Sequence, residues 1–144
     1  MFTSILVAID GSEPSRHALK TACGLAKAFG AELHLLHAPQ IETMAIAVGA
    51  AVVDVPVTPE RIAEAGKGVM EDAVKRATEE GITVASDTIG SGDAVDNILD
   101  TAKLNSADLI VMGRRGLGSV ASLFLGSVSQ KVSHGAKCSV LTVG

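Results

Sequence analysis

The chain has 144 residues, 47% of them hydrophobic, with three Phe, no Trp or Tyr, and a formal net charge of -4. That length fits one domain, residues 1–144, whose core must be aliphatic, as suits parallel strands buried on both faces. The charge rules out a general basic field and the missing aromatics remove base-stacking platforms, so nucleic acid is not an expected partner.

Cys23 and Cys138 lie far apart, with no CxxC and no ligand spacing, and read as small core residues. No long apolar span marks a membrane helix, and Met1 leads almost at once into a strand, so the expected location is the cytoplasm.

The elements alternate. Residues 5–9 are an apolar run too short for a helix. Asp10-Gly11-Ser12-Glu13-Pro14 is turn chemistry, with Ser12 or Ser15 as the N-cap of a first helix. Ala18, Leu19, Ala22, Leu25, Ala26 and Phe29 recur at helical spacing, and Gly30 ends that helix. The second strand is 33–37. A long connection, 39–59, holds Pro39, Pro56, Pro59 and the apolar stretch 44–53; its length suggests a lid or a partly disordered loop. A second helix starts near Pro59-Glu60, with Ile62, Val69, Ala73 and Ala77 on one face, and stops at Gly81. The third strand is 83–89, and the third helix carries Val95, Ile98, Leu99 and Ala102. The fourth strand is 109–112, the fourth helix roughly 125–134, and the fifth strand 139–143. Such alternation calls for a parallel sheet with right-handed crossovers.

The chemistry concentrates after the fourth strand. Gly113-Arg114-Arg115-Gly116 follows it directly, and nine residues separate Gly116 from Gly126-Ser127-Val128-Ser129. A strand, a Gly-rich turn and a helix opening with Gly-Ser build a phosphate site, because backbone N–H groups and the helix dipole face the anion. Ligands of an open α/β sheet bind beyond the carboxyl ends of its strands, so Asp10, Ala38 and the loop from Gly113 can share one cleft. There is no GxxxxGK[ST], no GxGxxG after the first strand and no GxSxG, so a P-loop, a dinucleotide fold and a nucleophile elbow are set aside.

The spacing Gly-x2-Gly-x9-Gly-Ser resembles the nucleotide-binding signature of the universal stress protein family, in its ATP-binding branch. The run from Ile5 to Ser12 is similar to that family's first strand and turn, 32–38 to its second strand, Gly92-Asp93 with Ile98 to the turn after its third, and 138–143 to its last strand. The expected fold is α/β: an open, Rossmann-like sheet of five parallel strands in the order 3-2-1-4-5, with helices on both faces. The resemblance implies a stress-response regulator that binds ATP or another adenine nucleotide. Ala8, Ile9 and Asp10 then wall one side of the adenosine pocket, and Ala38 lies against the adenine where the family usually has Val. Met112 and Gly113 flank the ribose, and Gly116, Gly126, Ser127, Val128 and Ser129 line the triphosphate.

Single residues keep two readings. Asp10 either bonds its own turn or accepts from ribose hydroxyls or from water on a bound Mg²⁺. Arg114 and Arg115 are solvated surface, or one of them pairs with a terminal phosphate; the family often has Ser-His there. Ser127 and Ser129 are helix caps or phosphate donors. His37 matches a position where the family often has His, near the ligand edge, and the four histidines form no metal constellation.

Three functions stay open. The leading one is a nucleotide-dependent regulator. A slow ATP hydrolase or adenylyl-transfer enzyme on the same fold is the second, with no general base identified for it. A ligand-free interaction subunit, docking on a transporter or kinase, is the third. The resemblance also implies a homodimer that pairs through the last strand, Ser139–Val143, which carries no charge or proline to discourage edge pairing.

Overall fold

The computed structural model describes residues 1–40, 43–56, 58–116 and 126–144, with the backbone alone at 43–46, 54 and 56. In chain order the elements are β1 (Ser4–Ile9), α1 (Glu13–Phe29), β2 (Glu32–His37), β3 (Thr43–Val48), β4 (Ala51–Pro56) and α2 (Pro59–Glu79). After them come β5 (Ser86–Ile89), α3 (Ala94–Leu104), β6 (Leu109–Gly113), α4 (Ser127–Gly135) and β7 (Ser139–Val143). Five strands form a parallel sheet in the order β5-β2-β1-β6-β7. Counted among themselves along the chain, they run 3-2-1-4-5, as expected.

Strand β1 shows how the layers arise. Side chains alternate between sheet faces. Ile5, Val7 and Ile9 join Ala18, Leu19, Ala22 and Cys23 of α1 and Met70, Ala73 and Ala77 of α2. Leu6, pointing the other way, joins Ile98 and Ala102 of α3, Ile110 and Met112 of β6, and Val132 of α4. Helices therefore cover both faces, and each fully buried aliphatic side chain stabilises the fold by about 1.5–3 kcal/mol. Cys23 belongs to the first core, where burial, and then the charge of Glu80, push its thiol up to about 11. A thiol buried and raised in this way keeps its proton at neutral pH and serves as packing.

At the amino edge of the sheet, Asp108 ties the start of β1 to the start of β6. Its carboxylate accepts from the Thr3 N–H at 2.9 Å, the Thr3 hydroxyl at 2.9 Å and the Ser4 N–H at 3.2 Å. These bonds, the Thr3 N–H foremost, hold its pKa below the ordinary 3.8.

Three expectations change. The 39–59 connection contains a hairpin, β3 paired antiparallel with β4, closed by the two-residue turn Gly49-Ala50. Gly49 has φ +62, the geometry a tight hairpin turn asks of its first central residue. The third strand is shorter than 83–89. Regular pairing starts at Ser86, although the Ala85 N–H already donates to the Leu33 carbonyl at 2.8 Å. Helix α4 begins at Ser127, behind Gly126 as N-cap; the expected start at Leu125 lies outside the described residues.

Candidate functional site

The register sets the carboxyl ends of three strands level, with Ala8 beside both Leu36 and Met112 and Ile9 beside His37. Strand order reverses at β1, which makes the crevice above β1 and β6 the natural ligand position. A cavity of about 650 Å³ occupies it. Of the expected site residues, Ala8, Ile9, Asp10, Ala38, Met112, Gly113, Gly116, Gly126, Ser127, Val128 and Ser129 line it. Arg114 and Arg115 are not part of that lining.

The β1–α1 turn fixes Asp10. Its Oδ1 accepts from the Ser12 N–H at 2.9 Å and from the Ser12 hydroxyl. Ser12 in turn caps α1, its Oγ accepting from the Ser15 N–H at 3.3 Å. One oxygen of Asp10 thus orders the turn, and the residue also lines the cavity.

The β6–α4 connection is built from close backbone approaches. A Cβ on Gly113 would lie 2.9 Å from Pro14 Cβ, and one on Gly116 would lie 2.2 Å from Asp10 Oδ2. Both glycines are there because neighbouring atoms occupy the side-chain space. One carbonyl, that of Arg114, then gathers the far side of the loop. It accepts from the Gly126 N–H at 2.8 Å and from the buried Ser129 hydroxyl at 2.7 Å. The Ser129 hydroxyl is committed to the loop, between the Arg114 and Gly126 carbonyls. No side chain caps α4, and the N–H groups of its first turn, Ser127, Val128 and Ser129, open the helix at the cavity.

Arg114 points elsewhere for a simple reason. Its N–H donates to the Val143 carbonyl at 2.7 Å, extending the β6–β7 ladder by one residue, and its guanidinium lies against Gly144.

The other end of the cavity is aliphatic. Leu36, Ala38, Ala94 and Ile98 line it, with Gln40 beside them. Ser15, Leu36, Gln40, Ala94 and Ile98 are lining residues that the sequence reading missed. Gln40 had a signal, being a polar residue two positions past the strand-end Ala38; the aliphatic ones look like any core position. His37 also lines the cavity, but its Nδ1–H donates to the Ile9 carbonyl at 2.7 Å, tying β2 to β1. Among the described residues no group of three His, Cys, Asp or Glu is placed to hold a metal ion.

The universal stress protein family model matches residues 1–144. The chain belongs to the universal stress protein family. It is similar to Universal stress protein YxiE of Bacillus subtilis, 36% identical over 151 residues that cover 99% of either chain. A Thermus aquaticus universal stress protein is 37% identical over 155 residues, again covering 99% of both. A universal stress protein solved in complex with cAMP superposes with a TM-score of 0.73 at 28% identity, covering 99% of this chain and 97% of that one. Among the described residues of this universal stress protein, no helix is long and apolar enough to cross a membrane.

Proposed function

We propose that this universal stress protein binds an adenine nucleotide in the β1–β6 cleft and reports its occupancy to a partner. One observation carries the reading: a single cavity joins a backbone-built anion end, at Gly116 and Gly126–Ser129, to an aliphatic end at Leu36, Ala38 and Ile98. Its volume of about 650 Å³ is in the range that encloses a small organic ligand. The similar protein solved with cAMP supports an adenine nucleotide in particular.

In this reading the phosphates meet the first turn of α4, the ribose sits by Asp10, Met112 and Gly113, and the base enters the aliphatic end. ATP is the nucleotide proposed. Asp10, the carboxylate in the described lining, would hold Mg²⁺ through water; the ion would offset the charge of the outer phosphates. The β3–β4 hairpin follows Gln40 in the chain and exposes Val48, Val52, Val53 and Val55, so a nucleotide that favours one hairpin position shifts what a partner meets. The protein is a homodimer in this reading. Strand β7 ends the sheet order, and its Val140, Leu141 and Val143 are only partly buried.

Isothermal titration with ATP, AMP, GTP and NAD tests the proposal. Binding of the adenine mononucleotides is the expected result; no binding of any adenine nucleotide at millimolar concentration sinks it. Phosphate release above background, abolished by Asp10→Ala, would instead favour the slow hydrolase. Light scattering of the intact chain beside Leu141→Pro tests the dimer, which the proline should dissociate.

A further inference from the structure

The hairpin is the least supported part of the described fold. Strands β3 and β4 pair with each other and with no other described strand. Every hairpin residue whose exposure is described, 47–53 and 55, is exposed. A hairpin of two strands is marginal in water and needs a third strand or a packing surface. The other described strands are all spent in the parallel sheet.

The register tells which backbone groups face outward. The two-residue turn Gly49-Ala50 closes on a hydrogen-bonded pair, Val48 with Ala51, and bonded and unbonded pairs then alternate. Ile46 with Val53 and Met44 with Val55 are therefore bonded pairs. The backbone groups of Thr43, Ala45 and Ala47 face outward on β3, and those of Val52, Asp54 and Pro56 on β4. The two edges are unlike. Pro56 has no N–H to give and Asp54 brings a charge, the two devices that keep an edge from pairing. Strand β3, Thr-Met-Ala-Ile-Ala-Val, carries neither a charge nor a proline. At the ends of the parallel sheet, β5 is guarded by Asp87, whereas β7 is the edge proposed above for the homodimer.

We propose that β3 is a self-association edge distinct from β7, and that its partner is β3 of another copy of this chain. The edge itself points to that partner. An antiparallel pair about a two-fold axis brings the same uncharged positions to both sides, so no charge is buried without a counterpart. A charged peptide finds no opposite charge on β3 and is the poorer fit. With Ala45 opposite its own counterpart, Thr43 faces Ala47 of the second copy, and each of these positions exchanges both of its bonds. The two-stranded hairpins of the two copies become one antiparallel sheet, β4-β3-β3-β4, with Asp54 and Pro56 on its outer edges.

This pairing does not depend on a nucleotide, and prolines placed on the two edges test it. Ala47 and Val52 face each other across the hairpin. Ala47→Pro and Val52→Pro therefore disturb it alike and differ in which outer edge loses its donor. By light scattering at micromolar concentration, the assembly formed by the intact chain should lose half its mass in Ala47→Pro and keep it in Val52→Pro. A monomeric intact chain, an unchanged mass in Ala47→Pro, or the same loss in both variants overturns the proposal. Loss in Leu141→Pro alone also overturns it and leaves β7 as the interface. Where Ala47→Pro fails to fold, Ala45→Cys decides. Residues opposite each other in a bonded antiparallel pair have Cα atoms about 5.5 Å apart, within disulfide reach. Mild oxidation should link Ala45→Cys into a covalent pair, beyond what the intact chain gives through its partly exposed Cys138, and should not so link Asp54→Cys. No excess of linked pair in Ala45→Cys over Asp54→Cys overturns the proposal.

Discussion

The two ends of the cleft are made from different material. At the β6–α4 end the working surface is backbone: Gly113 and Gly116 stand where neighbouring atoms fill the side-chain space, and α4 opens without a side-chain cap. At the β2–α3 end the surface is side chain: Leu36 and Ile98 are core residues that also face the cavity, and Gln40 reaches across to Gly92. The first end is specified by atoms that are missing, the second by atoms that are present. Adding a side chain at Gly126, which opens α4, should therefore harm binding and spare the fold, while deleting one at the second end should harm the fold before the ligand.

The largest effect is expected from Gly126→Val. Gly126 already has an extended backbone, φ −69 and ψ 161, that valine adopts readily, so the protein should fold. The branched side chain would stand at the helix opening and largely abolish nucleotide binding in calorimetry. Unchanged affinity in a folded variant would place the phosphates elsewhere.

Ile98→Ala probes the other end. The side chain is buried in the second core, so unfolding by denaturant should show a loss of about 2–4 kcal/mol. AMP affinity of the folded fraction should change far less than in Gly126→Val. A variant that keeps its stability and loses its ligand would invert the comparison.

Arg114→Ala separates backbone from side chain within one residue. The carbonyl holds Gly126 and Ser129, whereas the guanidinium lies by Gly144, outside the cavity lining. Less than about a twofold change is expected for ATP and for AMP, below what one charged hydrogen bond supplies. A loss confined to ATP would bring the guanidinium back to the outer phosphates.

The smallest effect lies away from both ends and serves as a control. Asp108 has a depressed carboxyl pKa, so its contribution to stability is present above the ordinary 3.8 and is lost as pH falls through the lower folded value. Asp108→Asn should flatten part of the stability loss below about pH 4 and leave nucleotide affinity at neutral pH untouched. An unchanged acid profile would mean that the Thr3 and Ser4 bonds to Asp108 do not contribute to stability in solution.

The same contrast explains what could be read from sequence. Strand β1 and the glycine spacing were legible because a continuous apolar run and missing side chains leave marks in the chain itself. The last strand, Ser139–Val143, was legible for the same reason. The hairpin was not, since its apolar run is interrupted only by Gly49-Ala50, a weak turn signal between strands that pair with each other and not with the sheet. Residues 82–85 carry strand-like Ile82 and Val84, which pack on the core without joining the regular ladder. Arg114 looked like a phosphate ligand because of its neighbours in sequence; the ladder with β7 turns it toward the chain end. Gln40 had only its position past the strand end as a signal, because its bond to Gly92 spans 52 positions of the chain.

The Arg114 carbonyl has a consequence for how the helix opening can be watched in solution. Because it accepts from the Gly126 N–H at 2.8 Å, the amide just before α4 is protected only while that clasp is closed. Hydrogen exchange at Gly126 therefore follows the opening of the clasp, and with it the start of α4 at the cleft.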